Sequence, residues 1–212
     1  MDAHRSPSHQ SSVETQIMAR MRRAGRGSVW SAAQLHDIAQ RNTLDQALVR
    51  LAKKQHIRRI CHGLYVYPLI QPLIGEVPVT INAIITALNA SEPVPLVPSG
   101  AYACYLLGMV RDVPAQITLL SHATTRTVSL GTRQIVVRPT APRYLAGAGR
   151  LSGVLIQAWR FLGAEHVTAQ HVQTLQHRIS HASRETLRHD MPLAPVWMHP
   201  WIQLLIEAPP AE

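Results

Sequence analysis

Apolar side chains recur at helical spacing three times within the first quarter of the chain. In VETQIMARMRRA, residues 13–24, Val13, Ile17, Met21 and Ala24 fall on one side and Arg20, Arg22 and Arg23 elsewhere, with Gly25 placed as a stop. Ser31 is positioned to cap a second helix carrying Ala32, Leu35, Ile38 and Ala39, which gives way to a polar turn at Gln40, Arg41 and Asn42. Thr43 then starts a third. Its apolar stripe, Leu44, Ala47, Leu48 and Leu51, packs inward and leaves Gln46, Val49, Arg50, Lys53 and Lys54 outward. The period then changes from helix to strand: residues 57–60 (IRRI) and 64–67 (LYVY) flank Cys61, His62 and Gly63, the pattern of a hairpin ending at Pro68. Trp30, beside Val29 in the short segment GSVW, adds a third strand to that sheet and joins the core. Helix, turn, helix and basic hairpin in this order predict a winged helix-turn-helix over residues 13–68, a module that reads duplex DNA.

Beyond Pro68 the pattern is mixed. Residues 69–78, with Pro72, Gly75 and Pro78, read as a linker or extended crossover. Thr80 caps a helix running through Ala90, SEPVPLVPSG is extended, and residues 101–108 (AYACYLLG) read as a buried helix ending at its glycine. Three short strands follow at 117–121, 127–130 and 134–138, then helices at 151–162, 168–181 and 196–206. The expected fold is therefore α+β: an N-terminal winged helix-turn-helix followed by a mixed α/β domain, residues 79–207, with a helical C-terminal tail.

Charge sharpens this division. Residues 1–68 hold 11 Lys/Arg against 4 Asp/Glu, net +7 of the chain's +9, so the positive excess sits on the predicted module and favours a polyanionic partner. The polar residues 1–12 (MDAHRSPSHQSS) read as a disordered arm, and no apolar run approaches the roughly 18–20 residues of a membrane span. Cys61 and Cys104 lie in unrelated contexts, which argues against a disulfide framework and fits a cytoplasmic protein.

Arg50 and Gln46 are the foremost base-reading candidates, because a guanidinium forks to guanine and a carboxamide to adenine. Arg58 and Arg59 on one wing strand and Tyr65 on the other offer donors to phosphate oxygens. Lys53 and Lys54 add general electrostatic attraction, and plain hydration of the same helix face is the competing reading. Catalytic chemistry finds no foothold. Asp37 and Asp45 lack a partnering acid or histidine, Ser99–Gly100 suits a turn or cap rather than a nucleophile elbow, and no phosphate loop or dinucleotide fingerprint is present. The tail carries His166, His171, His177, His181, His189 and His199. Of these His177 and His181, at i and i+4, would share a helix face, but no cysteine or acid stands at a spacing that completes a metal site. Neither a cofactor nor an enzymatic activity is expected.

The run LDQALVRLAKKQHIRRICHGLYVYP resembles the N-terminal module of the type IV abortive-infection antitoxins (AbiEi-like), and PSGAYACYLLGMVRDVP, residues 98–114, looks like a later stretch of the same family. The likeness covers residues 13–140 and leaves the helical tail unmapped. It implies an antitoxin that represses its own repeat-containing promoter and counteracts a nucleotidyltransferase-like toxin without requiring a stable complex with it. Carried onto this chain, Gln46, Arg50, Arg58, Arg59 and Tyr65 become operator contacts, with Thr43 near a phosphate at the helix start. Two other classes stay open: a ligand-sensing regulator without a toxin, and a winged-helix module that binds protein or RNA.

Overall fold

The computed structural model describes residues 12–207, so the arm expected at residues 1–12 lies outside the described residues except for Ser12. The chain is α+β and divides into two compact units, with the boundary between Ser91 and Glu92.

In the first unit, α1 (Val13–Ala24) is capped by Ser12, whose side chain accepts from Thr15 N–H, and stops at Gly25, where φ is +91°. After β1 (Val29–Ser31) the expected second α-helix is a single 3₁₀ turn, Ala32–Leu35. The reason lies in local hydrogen bonding. Ser31 is held in the sheet opposite Leu64, the Gln34 carboxamide accepts from Ser31 N–H, and Ile38 N–H reaches only back to Leu35 O, an i→i+3 bond.

Helix α2 (Arg41–Lys53) begins two residues earlier than expected, because Leu44 N–H already bonds Gln40 O; Thr43 is its third residue and not its start. It ends without a glycine. Gln55 adopts φ +59°, Gln55 N–H bonds Ala52 O and His56 N–H bonds Leu51 O, a Schellman closure that turns the chain sharply into β2 (Arg58–Cys61). With β3 (Leu64–Val66) the sheet order is β1-β3-β2, all antiparallel, with a register shift between Arg59 and Cys61. Ile17, Met21, Leu35, Leu44, Leu48, Leu51 and Ile57 form the core under it, and Trp30 is only partly buried, its Nε1–H donating to Ser28 Oγ.

The expected linker contains a short hairpin, β4 (Ile70–Gln71) with β5 (Gly75–Glu76). Helix α3 (Ile81–Asn89), expected at the head of the second domain, packs on β1 and belongs to the first unit.

The second unit is built on a four-stranded sheet of order β6-β7-β9-β8: β6 (Val97–Ser99), β7 (Gln116–Ser121), β8 (Arg126–Leu130) and β9 (Arg133–Pro139). Strands β7 and β9 run parallel, and Ile135, Val136 and Val137 of the internal strand β9 are all buried, as expected for a strand covered on both faces. Strand β6 was expected only as extended proline-rich chain. Gly100, at φ +63°, turns β6 into α4 (Ala101–Leu106), so Ser99 and Gly100 serve as the turn expected of them.

Helix α5 (Leu151–Leu162) packs on β6 and α4 around the fully buried Trp159. The expected helix over 168–181 is two helices, α6 (Ala169–Gln176) and α7 (His181–Asp190), because Ser180 accepts from Ser183 N–H and caps a new start. His177 ends one and His181 begins the next, so they do not share a helix. α8 (His199–Glu207) closes the unit.

Three of the six tail histidines make local structural bonds: His171 completes a capping box with Thr168, His166 bonds Leu162 O, and His199 bonds Ala194 O. Buried Asp190 ties α7 to the start of α5 by accepting from Ser152 Oγ and from Arg150, 2.9 Å away, while His189 stands 3.2 Å off its other oxygen. Serine and histidine both address the carboxylate, which is a structural tie and not a relay. Arg184, also buried, donates to Leu205 O and Gln176 O and so clamps α8 and α6. Among the described residues no helix is long and apolar enough to cross a membrane.

One pair in the first unit makes acid stability testable. Arg20 forks onto Asp37 at 2.6 and 2.5 Å, and this bond holds the carboxyl at about 2, below its ordinary 3.8. A lowered folded value stabilises the ionised form, so the contribution is complete above the ordinary range and is lost as pH falls through about 2. Unfolding followed from pH 5 to pH 2 is expected to show a shallower loss of stability for Asp37→Asn than for the wild type, with the variant less stable at neutral pH. Parallel curves would assign the acid sensitivity elsewhere.

Candidate nucleic-acid interface

The buried stripe of α2 decides which side chains face out. Opposite Leu44, Ala47, Leu48 and Leu51, at spacings of four, three and four, stand Asn42, Gln46, Val49 and Lys53, all exposed. Asn42 and Gln46 offer carboxamides that pair with adenine, Lys53 a cation, and Val49, 42% exposed, an apolar surface suited to a thymine methyl. Asn42 was missed by sequence reasoning because Gln40, a poor cap, hid the true helix start. A side-chain cap would have signalled it.

The flanks of this face are ion pairs. On the side toward α1, Glu14 accepts from Arg50 Nε at 2.6 Å and from Lys54 Nζ at 2.7 Å, and these two bonds, Lys54's first, lower its carboxyl from the usual value. On the other side Arg41 bonds Asp45 at 2.9 Å, one turn along the helix. Arg50 thus sits at the edge of the outward face, turned to α1. Thr43 is exposed on the same flank.

Adjacent strand residues point to opposite faces, and this separates the two arginines of β2. In register, Trp30, Tyr65 and Arg59 lie on the face that meets the α1–α2 core, while Val29, Val66 and Arg58 lie on the other. Arg58 bonds Glu76 of β5 at 2.8 Å and does not share a side with α2. Arg59 stays on α2's side, donating to Cys61 O and standing 3.0 Å from His62 Nδ1. Tyr65 is 5% exposed, its ring part of the core and its hydroxyl pushed up by burial, so it supports the sheet and does not present to a phosphate.

Glu14, Asp37, Asp45 and Glu76 are the acids of the described first unit, and each is held by an arginine or lysine. Arg22, Arg23, Lys53 and Arg59 keep no carboxylate partner among the described residues. The surface is therefore cationic with its negative charges capped, which favours a polyanion over its whole approach. The second unit has a smaller cationic site that the sequence did not signal. There, Arg143 and Arg160 lie 4.9 and 4.8 Å from the centre of the Tyr144 ring, and the Arg143 bond lowers that phenol's proton affinity.

These features define an α+β chain with a basic helix face. The model described as "Family of unknown function (DUF6088)" matches residues 16–187, and the chain belongs to that family. No curated protein matches the chain. Among solved structures it is similar to the crystal structure of the RV2827C protein from Mycobacterium tuberculosis, at 13% identity and a TM-score of 0.42, covering 93% of this chain and 77% of that one. That likeness is too loose to carry an argument.

Glu14 is the restraint on two cations of the candidate interface. With Glu14→Gln, Arg50 and Lys54 are released, and binding to any DNA duplex is expected to tighten, with the log–log salt slope steeper by about 1–2. Unchanged affinity and slope, read by fluorescence anisotropy across a salt series, would show that neither cation reaches phosphate.

Proposed function

We propose that this chain is a DNA-binding transcriptional repressor, its first unit a winged helix-turn-helix with α2 as recognition helix and the β2–β3 hairpin as wing. The observation that carries the reading is the outward face of α2, Asn42, Gln46, Val49 and Lys53, beside Arg59 in a unit whose described acids are all paired. Base contacts fall to Asn42 and Gln46, thymine contact to Val49, and phosphate contacts to Thr43, Lys53 and Arg59. Arg50 and Lys54 join them when phosphate competes with Glu14.

The wider role is proposed from the resemblance of residues 13–140 to the type IV antitoxins. In it the chain acts in the cytoplasm, represses its own repeat-containing promoter and counteracts a nucleotidyltransferase-like toxin without a stable complex. The second unit would bear the antitoxic action. The toxin itself is a genetic question: co-expression with the neighbouring gene product is expected to rescue growth, and rescue by the first unit's DNA-contact variants would separate repression from neutralisation.

The DNA reading is tested by binding of the full chain to its own upstream duplex, against scrambled duplex, at near-physiological salt. A preference of about a hundredfold for the upstream duplex is expected. Gln46→Ala should lose about 1–3 kcal/mol of that discrimination, Lys53→Ala should weaken both duplexes alike and lower the salt slope by about 1, and Arg58→Ala should change little. Equal affinity for both duplexes, or stronger binding to RNA, would refute the reading.

A further inference from the structure

The second unit carries an open cavity of roughly 690 Å³ at its surface, between the end of α4 and the end of α6. Arg111, His177 and Arg178 line it and no carboxylate does. Neither guanidinium is ion-paired among the described residues, and Asp112, next to Arg111 in the chain, makes no ion pair and does not line the cavity. Two like charges facing one concavity repel unless a counter-charge enters it.

Arg178 lies directly over Gly108, the glycine that ends the AYACYLLG run. That residue has φ +75°, and any side chain there would overlap the guanidinium. The positive φ favours glycine there, and its missing side chain leaves room for the guanidinium to lie against the backbone. Tyr105, also in the lining, stacks on buried Tyr102 with ring centres 6.1 Å apart, which orients its ring. Leu106 and Val110, 43% and 41% exposed, add an apolar rim.

We infer that this cavity binds a phosphorylated small molecule of nucleotide size, Arg111 and Arg178 taking the phosphate oxygens and Tyr105, Leu106 and Val110 the planar or apolar body. Guanidinium forks match phosphate geometry, His177 supplies a further ring nitrogen, and the volume lies in the usual range for small-ligand sites, about 300–1,000 Å³. The inference is independent of the DNA-binding reading, since every residue it uses belongs to the second unit.

Isothermal titration of the full chain with ATP, pyrophosphate and adenosine tests it. ATP is expected to bind at least tenfold more tightly than pyrophosphate, and adenosine not to bind over the same concentrations. Arg111→Gln and Arg178→Gln, both at exposed positions, should each weaken ATP at least tenfold with unchanged melting temperature, while Lys53→Gln leaves it unchanged. The proposal is overturned if neither ATP nor pyrophosphate binds, or if ATP binding survives the Arg111→Gln/Arg178→Gln double variant. Loss of binding with Lys53→Gln alone would overturn it by moving the site to the first unit's basic face. Pyrophosphate as tight as ATP would overturn the assignment of an organic body.

Discussion

Burial of the α2 stripe governs the first unit. Leu44, Ala47, Leu48 and Leu51 are each 2% exposed or less, seated with Ile17 and Met21 of α1 and with Ile57, which leads into the hairpin. Full burial of a leucine side chain is worth about 1.5–3 kcal/mol, so rotating α2 to present another face would expose several such groups at once. The helix is thereby locked, and with it the outward row of Asn42, Gln46, Val49 and Lys53. The Schellman closure at Gln55 then delivers the chain to β2 with Arg59 on the helix side of the sheet.

The electrostatics depend on that packing. Because α2 lies against α1, Glu14 comes within reach of Arg50 and Lys54, and its negative charge is held between two cations of the same surface. The pairs are exposed, and such pairs contribute little to folding. In the proposed DNA complex their consequence is for binding, since a phosphate backbone would compete for the same cations that Glu14 holds.

Strongly periodic elements were legible from the residues alone. Val13–Ala24 and Leu151–Leu162 form helices where apolar spacing placed them, and the three strands of the second unit's hairpin and parallel pair lie within a residue or two of their expected positions. Less legible were elements decided by hydrogen bonds that periodicity does not report. The 3₁₀ turn at Ala32–Leu35 reads as a helix until Gln34 is seen bonded to Ser31, and α6 and α7 read as one helix until Ser180 is recognised as a cap. At the candidate interface the outward row was largely legible. The orientation of Arg50, the opposed directions of Arg58 and Arg59 and the burial of Tyr65 were not, because they follow from strand register and from a carboxylate 36 residues away.

In the proposed complex, duplex DNA meets α2 and the helix side of the β2–β3 hairpin. Backbone amide shifts of the full chain, followed by NMR during titration with its upstream duplex, test this most directly. The largest changes are expected at residues 41–54 and 59–63, with Arg58 and the β4–β5 hairpin little affected. Changes that leave α2 untouched and gather in the second unit would contradict it.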